Sequence, residues 1–298
     1  MENSYGNLMK AYSLEGNRQW LDGGAMFGNA PKTMWSAWVG PDENNRIPLA
    51  CRSLLIDTGK AKVLFELGVG LFFEPALRTR YGIEGNENLL FKNLKFLGLS
   101  EDDIDFVVPS HLHFDHVGGL VPDWPATQNE NWSLRFPRAQ YIVGKTQWEH
   151  ACKPHKRDRA SYIPLLVDKL KQSGRMLLID APNTSVPLLK DWLTFHFADG
   201  HTPGLMHAMI KGNNTSLFFA SDMIPGIPWV NSSISMGYDR FAEKCLDEKE
   251  IILSQAQHEN WMIFYTHDVN FAASFIEINE KGKFQATKFL TNLNAFSL

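Results

Sequence analysis

Three histidines and one aspartate fall within six consecutive positions of the segment SHLHFDHVGGL, residues 110–120. These side chains, which directly follow a hydrophobic run, are His111, His113, Asp115 and His116. Imidazole nitrogens and carboxylate oxygens are ordinary ligands of divalent transition metals. The segment is therefore either an exposed His-rich loop or half of a metal site, and a metal site needs its other ligands elsewhere in the chain.

Further ligand-type residues follow three other strand-like runs. They are His201 after LTFHFADG, Asp222 at the end of SLFFASD, and His267 in WMIFYTHD. Because a rigid sheet fixes the ends of its strands, the loops beyond can turn such side chains toward a common point. Five imidazoles and two carboxylates are too many for one tetrahedral ion. They suit two divalent ions that share a carboxylate.

The remaining histidines are predicted to have no role in metal binding, because an isolated histidine is more often hydrogen-bonded or exposed than a ligand. These are His150, His155, His196, His207 and His258. His196 lies inside an alternating strand, which favours a core residue or one that supports a ligand.

Composition limits the class of protein. Hydrophobic residues make up 44% and charged residues 21% of the 298 positions, as in ordinary globular proteins. The net charge is −4 and no block of Lys and Arg is present, so a nucleic-acid partner is not expected. No apolar run is long enough for a membrane span. Cys51, Cys152 and Cys245 are widely spaced and odd in number, which predicts a reducing, cytoplasmic compartment.

Short strand-like runs alternate with amphipathic segments along the whole chain, without an internal repeat or a low-complexity linker. Residues 52–56 and 62–67 are predicted to form strands, and Leu90, Leu94 and Leu97 have helical spacing. This alternation predicts an α/β layered architecture. We expect a single domain over residues 1–298.

Several motifs together resemble the metallo-β-lactamase superfamily, in the group of metal-dependent hydrolases that includes N-acyl-homoserine lactonases and methyl parathion hydrolase-like enzymes. They are DGGAMFGNAPKTMW near the start of the chain, LFELGVG, SHLHFDHVGGL, GHTPG, ASD and YTHD. The resemblance implies an αββα sandwich, in which two packed mixed β-sheets are flanked by helices and a dinuclear metal site lies along one edge.

The resemblance also assigns the ligands. His111, His113 and His201 would hold one ion. Asp115, His116 and His267 would hold the other, and Asp222 would bridge the two. Two divalent ions are expected, with Zn²⁺ favoured and Fe or Mn left open, because nitrogen and oxygen ligands accept several metals. Dimers among relatives suggest a homodimer by analogy only.

Three departures from the superfamily patterns bear on the reaction. Class B β-lactamases carry a cysteine at the position of Asp222, so penicillin hydrolysis is disfavoured. Flavodiiron relatives carry a glutamate at the position of His113, so oxygen reduction is also disfavoured. Lactonases of the group carry a tyrosine where this chain has Pro225. That last difference leaves the substrate open while the ligand set is complete.

The predicted activity is hydrolysis of a small ester-like substrate, namely a carboxyl ester, lactone or phosphotriester, by a hydroxide that bridges the metals. Asp115, as proton acceptor and donor, and Asp222, as shared ligand, are the predicted catalytic residues. Two alternatives stay open: a single-iron persulfide dioxygenase-type oxidoreductase, and a catalytically idle regulator that binds a ligand on the same fold.

Three further predictions concern the surroundings of the metals. Glu66, at the end of a predicted strand, is expected to accept a hydrogen bond from a ligand histidine. Asp57, in the similar segment IDTG, is interpreted as part of a hairpin turn instead. The apolar segments around Met26, Phe27 and Trp229 have no clear strand or helix period, and we expect these residues to wall the substrate pocket.

Overall fold

Short apolar runs form the strands of two packed β-sheets. The computed structural model describes residues 9–183 and 186–298 of the chain. Its strands are β1 (Lys10–Leu14), β2 (Gln19–Asp22), β3 (Arg46–Leu49), β4 (Ser53–Asp57), β5 (Lys62–Phe65), β6 (Phe106–Val108), β7 (Gln140–Gly144), β8 (Met176–Ile179), β9 (Leu193–Ala198), β10 (Leu205–Ile210), β11 (Leu217–Phe219), β12 (Met262–Phe264), β13 (Ala273–Ile278), β14 (Phe284–Leu290) and β15 (Phe296–Ser297).

The α-helices connect these strands and are mostly short. They are α1 (Gly23–Phe27), α2 (Lys32–Trp35), α3 (Pro75–Arg80), α4 (Leu89–Phe96), α5 (Phe114–Val117), α6 (Lys145–Cys152), α7 (Pro164–Ser173) and α8 (Ala242–His258). Helix α7 has the usual sequence signals at both ends: Pro164 occupies its first position, and Gly174 caps its end in the left-handed conformation with φ 65°. Within the described ranges, no helix combines the length and the apolar character that crossing a bilayer requires.

Both sheets are mixed. The first has seven strands in the order β15-β1-β4-β5-β6-β7-β8, with parallel pairing from β5 to β8. The second has six strands in the order β14-β13-β12-β11-β10-β9, with one parallel pair between β11 and β12. Strands β2 and β3 form a separate antiparallel ribbon.

Alternating side chains divide the core into layers, because successive residues of a strand face opposite sides of its sheet. Leu54 and Ile56 belong to the cluster between the two sheets, while Leu55 belongs to the cluster on the outer face of the first sheet. In the second sheet, Phe219 faces inward, and Phe218 belongs to the outer cluster that includes Leu253 of α8.

This layering confirms the predicted fold class: two packed mixed sheets lie between helices. The predicted hairpin is also present, because β4 and β5 pair antiparallel with Asp57 opposite Lys62. Asp57 accepts a hydrogen bond from the backbone N–H of Gly59, as expected for turn chemistry. The arrangement leaves β6 of the first sheet and β9, β11 and β12 of the second with loops at one common edge.

Candidate metal centre

All seven predicted ligands converge where the two sheets meet. The segment after β6 carries four of them, and the segments after β9, β11 and β12 each carry one. The seven side chains are buried or nearly so: His111, His113, Asp115, His116, His201, Asp222 and His267. The cluster therefore draws ligand-type groups from both sheets into a low-dielectric site.

A change of backbone conformation within the motif aims its side chains in two directions. His113 is extended, with φ −68° and ψ 151°, and α5 begins immediately after it. His111 and His113 therefore lie on an extended segment, whereas Asp115 and His116 lie on a helical turn. Gly118 allows this turn to pack closely, because a Cβ at that position would lie 1.9 Å from the carbonyl oxygen of Val69.

One half of the cluster consists of three imidazoles. The Nε2 atom of His111 lies 2.9 Å from Nδ1 of His113. The Nε2 atom of His201 lies 3.4 Å from the same Nδ1 atom. Such a convergence of nitrogens, all within 4.8 Å of one another, could hold a metal ion.

The other half combines a carboxylate with two imidazoles. The Nε2 atom of His116 lies 3.7 Å from Oδ1 of Asp115. The Nε2 atom of His267 lies 3.8 Å from Oδ2 of Asp115. These three residues form a second group whose ligand atoms lie within 4.8 Å of one another.

The carboxylate of Asp222 stands between the two groups. Its Oδ2 atom lies 3.3 Å from Nε2 of His201 and 3.9 Å from Nε2 of His111. Its Oδ1 atom lies 3.3 Å from Nε2 of His116 and 3.1 Å from Nε2 of His267. Each oxygen therefore faces one group, which is the geometry that a bridging ligand requires.

The residues present fit two divalent cations. Nε2 of His116 and Oδ1 of Asp222 are buried polar atoms without a conventional hydrogen-bond partner among the described residues. Buried polar atoms are normally paired, and a cation between them would satisfy both. The donor set contains only imidazole nitrogens and carboxylate oxygens, which suits zinc and related metals.

Electrostatics also favours cations at this site. Burial and the neighbouring imidazoles hold the pKa of His111 well below its usual value and lower that of His113 to about 3. Burial opposes protonation of His116 and His267 as well, yet the carboxylate of Asp222 raises the pKa of both. Without metal, the centre thus keeps positive charge on the imidazoles beside Asp222. Burial alone would raise the pKa of Asp222, but these imidazoles lower it well below its usual value.

Glu66 lies beside a ligand histidine, but the predicted hydrogen bond between them is not recorded, because Nδ1 of His116 has no hydrogen-bond partner among the described residues. The Oε1 atom of Glu66 lies 3.4 Å from Nδ1 of His116. The same atom accepts hydrogen bonds from the backbone N–H of Ser110 and the hydroxyl of Ser221, at 3.2 and 3.3 Å. Glu66 and Ser221 both adopt positive φ, 59° and 46°, which is uncommon for residues with side chains. Strained backbone of this kind is typical of functional sites.

Sequence reasoning missed other groups that orient the ligands. Asp239 lies 2.9 Å from Nδ1 of His201, and Gln19 donates a hydrogen bond of 2.6 Å to Asp115. Both are brought to the site by tertiary structure, and neither lies next to a ligand in sequence. The hydroxyl of Ser110, 2.9 Å from Nδ1 of His111, could have been found, because it directly precedes a ligand.

A cavity of about 340 Å³ opens onto the centre. Its lining includes Met26, in agreement with the prediction, together with Tyr81, Phe114, Tyr238 and the ligands that face it. Away from the ligands most of the lining is apolar, but Arg157, Asp158 and Ser161 also line the cavity.

The structure corrects the prediction for Phe27 and Trp229, which do not line this cavity. Phe27 is fully buried and stacks between Trp35 and Trp229, at ring-centroid distances of 5.5 and 4.5 Å. Trp229 is buried, donates a hydrogen bond to the carbonyl of Met26, and lines a different depression on the far side of His267. The stacked aromatic rings of these apolar segments form a small hydrophobic core instead of a pocket wall.

Comparison with known proteins agrees with this geometry. Residues 46–126, which include the His-rich motif, match the model of the metallo-beta-lactamase superfamily. The sheets and helices of this chain share the fold of a probable metal-dependent hydrolase from Staphylococcus aureus, which superposes with a TM-score of 0.83, at 24% identity over 98% of this chain and 99% of that one.

Lactonases are among the other similar proteins. The dizinc quorum-quenching lactonase AidC superposes with a TM-score of 0.71, at 22% identity over 94% of each chain. In sequence, the N-acyl homoserine lactonase AttM of Azorhizobium caulinodans is 29% identical over 118 residues. AttM of Agrobacterium fabrum is 30% identical over 123 residues. These alignments span about two fifths of each curated relative, 40% and 41%.

Proposed function

We propose that the protein is a dinuclear metal-dependent hydrolase of small ester-like substrates. The observation that carries the proposal is the position of Asp222, whose two oxygens face two separate ligand groups. The hydrolase and lactonase activities named for similar proteins support the same reaction class. A single-iron oxidoreductase would not need the second group of ligands. A catalytically idle regulator would use the same cavity to bind its ligand, so the substrate screen below separates it from a hydrolase.

His111, His113 and His201 would hold one cation, Asp115, His116 and His267 the other, and Asp222 both. Bound divalent cations would supply Lewis acidity at neutral pH, with Zn²⁺ the proposed metal.

The chain itself would handle protons through Asp115. This carboxylate lines the cavity, and Gln19 fixes its orientation through the 2.6 Å hydrogen bond. Asp115 can therefore accept a proton from an attacking water and return it to the leaving oxygen. The bond to water forms at the carbonyl carbon or phosphorus and the bond to the leaving oxygen breaks. An ester or phosphotriester gives an acid and an alcohol, and a lactone opens to a single hydroxy acid.

The cysteines are poorly suited to nucleophilic catalysis. Burial raises the pKa of Cys51 to about 11 and also raises that of Cys245. Cys152 is exposed, and its pKa is raised as well. A thiol is nucleophilic as the thiolate, so raised pKa values disfavour the reactive form at neutral pH, and none of the three cysteines lines the cavity. Water is therefore the proposed nucleophile.

The cavity supports a small, largely apolar substrate. Its walls away from the ligands include Leu21, Met26, Leu49 and Phe114. Pockets with apolar walls and a few convergent polar groups are typical small-molecule sites. Carboxyl esters, lactones and phosphotriesters with an apolar body are the proposed substrate classes.

Metal stoichiometry and a substrate screen test the proposal. Metal-saturated protein should hold two equivalents by elemental analysis and should hydrolyse at least one of a series of carboxyl esters, lactones and phosphotriesters. Asp222→Ala should lose both equivalents, because one side chain serves both groups. His196→Ala is the control, since His196 lies on β9 outside the cluster, and should keep both. One equivalent in saturated wild type, or no hydrolysis of any class, would contradict the proposal.

A further inference from the structure

Tyr238 places a phenol in the wall of the cavity above the candidate metal centre. The cavity is also lined by Asp115, His201 and Asp222, and Tyr238 is 41% exposed. Within residues 9–183 and 186–298, the structure records no hydrogen bond from its hydroxyl. The hydroxyl is therefore available to a molecule bound in the cavity.

The backbone on both sides of Tyr238 is clamped. The Nη2 atom of Arg157 donates to the carbonyl oxygens of Gly237 and Asp239, at 2.7 and 3.4 Å. The N–H of Gly237 donates to the carbonyl of Ala25 at 2.8 Å. Fixing both flanking residues fixes the main chain from which the phenol extends, and so limits the part of the cavity that its hydroxyl can reach.

The same loop is tied to a metal ligand. Asp239 uses Oδ1 to hold Nδ1 of His201, and its Oδ2 accepts the backbone N–H of Met236 at 2.8 Å. The N–H of Arg240 donates to the carbonyl oxygen of His201 at 3.1 Å. The position of Tyr238 is therefore set relative to His201 by contacts on the next two residues of the chain.

The surroundings of the phenol keep it protonated. Burial, together with the nearby carboxylates of Asp115 and Asp22 and the hydroxyl of Tyr81, raises the pKa of Tyr238 to about 12. Even an ordinary phenol titrates at about pH 10, so at neutral pH the hydroxyl is a hydrogen-bond donor and not a charged nucleophile. Hydrolysis of an ester or phosphotriester builds negative charge on the carbonyl or phosphoryl oxygen, and a preorganised donor stabilises that charge.

We propose that the Tyr238 hydroxyl donates a hydrogen bond to the substrate oxygen on which negative charge develops, and that Arg157 is the positioning residue for this phenol. The inference rests on the hydrolase function proposed above and adds a substrate-contacting residue to it. Tyr238 keeps its proton throughout, so the bonds formed and broken are those of ester hydrolysis alone.

Removing only the hydroxyl tests the role of Tyr238. Tyr238→Phe should lower kcat by about 100-fold, as loss of an oxyanion donor typically does, with KM and metal content nearly unchanged. Tyr12→Phe is the matched control, because Tyr12 lies on β1 in the first sheet and outside the cavity lining. Unchanged kinetics in Tyr238→Phe, or a loss explained by missing metal, would overturn the assignment.

Two substrates with different leaving groups show which oxygen the hydroxyl contacts. The variant should lose similar activity toward 4-nitrophenyl butyrate and ethyl butyrate, because both develop charge on the same carbonyl oxygen. A loss confined to ethyl butyrate, the ester with the poorer leaving group, would instead place the donor at the leaving oxygen. If Tyr81→Phe is impaired and Tyr238→Phe is not, the donor is Tyr81 and the inference is wrong.

Binding of a tetrahedral anion gives a readout that does not depend on turnover. Phenylphosphonate should bind metal-loaded Tyr238→Phe about 10-fold more weakly than wild type in calorimetry, and equal binding would contradict the proposal. Wild-type protein that hydrolyses none of the substrates defeats the proposed function itself. Active wild type with an equally active Tyr238→Phe defeats this inference alone.

A double-mutant cycle tests Arg157 as the positioning residue. Arg157→Gln should lower kcat about 10-fold by releasing the loop, and should add little further loss when combined with Tyr238→Phe. Losses that simply multiply in the double variant would show that Arg157 acts independently of the phenol. Metal content is measured in parallel. It should stay unchanged if only the loop is released, and it should fall if metal binding by His201 is disturbed.

Discussion

Three of the five imidazoles in the candidate centre, those of His111, His201 and His267, have one nitrogen facing the other ligands and a second nitrogen within 2.9 Å of a polar group of the surrounding chain. The clearest case is His267, whose Nδ1 lies 2.6 Å from the carbonyl oxygen of Ala50. A carbonyl can only accept, so Nδ1 carries the hydrogen and Nε2 has its lone pair free for a cation. Two imidazoles differ. His113 presents Nδ1 to the cluster, and its Nε2 has no hydrogen-bond partner among the described residues. His116 has Nδ1 at 3.4 Å from Glu66 without a hydrogen bond.

Asp239 has the corresponding role for His201, and its charge can be removed without changing its size. Asp239→Asn should weaken binding of one cation by about 10- to 100-fold, because an orienting carboxylate also increases the basicity of the ligand. Competition with a chromogenic chelator measures the two affinities separately. Asp191→Asn, at an exposed position, is the control. Equal weakening of both cations, or of neither, would contradict this assignment.

At the level of secondary-structure elements, the ends of β6, β9, β11 and β12 position the centre. The strands and the ligands that follow them could be predicted from the sequence. The pattern of hydrophobic residues and the point at which it ends are visible within a short stretch of chain. Asp239 and Gln19 could not be predicted, since their positions depend on how distant segments pack. Phe27 and Trp229 were predicted wrongly for the same reason: an apolar segment without a period can line a pocket or form a core, and here the rings stack on each other.

The contact between α5 and the loop after β5 depends on Gly118. Gly118→Ala would place a Cβ 1.9 Å from the carbonyl oxygen of Val69, so the helical turn that carries Asp115 and His116 must shift. We expect the variant to unfold at a lower temperature and to lose the cation held by those two residues first. Gly40→Ala is the control, because nothing lies within 4 Å of a Cβ there. Wild-type melting temperature and metal content in Gly118→Ala would refute the packing argument.

At the level of the whole molecule, the centre connects the two sheets. His111, His113, Asp115 and His116 come from the first sheet, and His201, Asp222 and His267 come from the second. A cation bound to ligands from both sheets resists their separation, and any ligand that binds only the folded state stabilises it by mass action. We therefore expect bound cations to increase the stability of the folded chain, just as the fold positions the ligands that bind them.

Metal removal measures this dependence. With free metal about 1,000-fold above Kd the stabilisation is about 4 kcal/mol, which for a chain of this size corresponds to a melting temperature roughly 10 °C higher than in chelator. Asp222→Ala is the matched control, and chelator should leave its melting temperature unchanged.

The difference in melting temperature between metal-loaded and chelator-treated wild type should shrink as pH falls from 8 to 5.5. Without metal, the pKa values of His116, His201 and His267 are raised, largely by Asp222 and against the effect of burial. These imidazoles must therefore lose protons to bind a cation, and acid favours the protonated, metal-free state. A difference that stays constant or grows toward pH 5.5, measured by differential scanning fluorimetry, would mean that the three imidazoles are not the ligands.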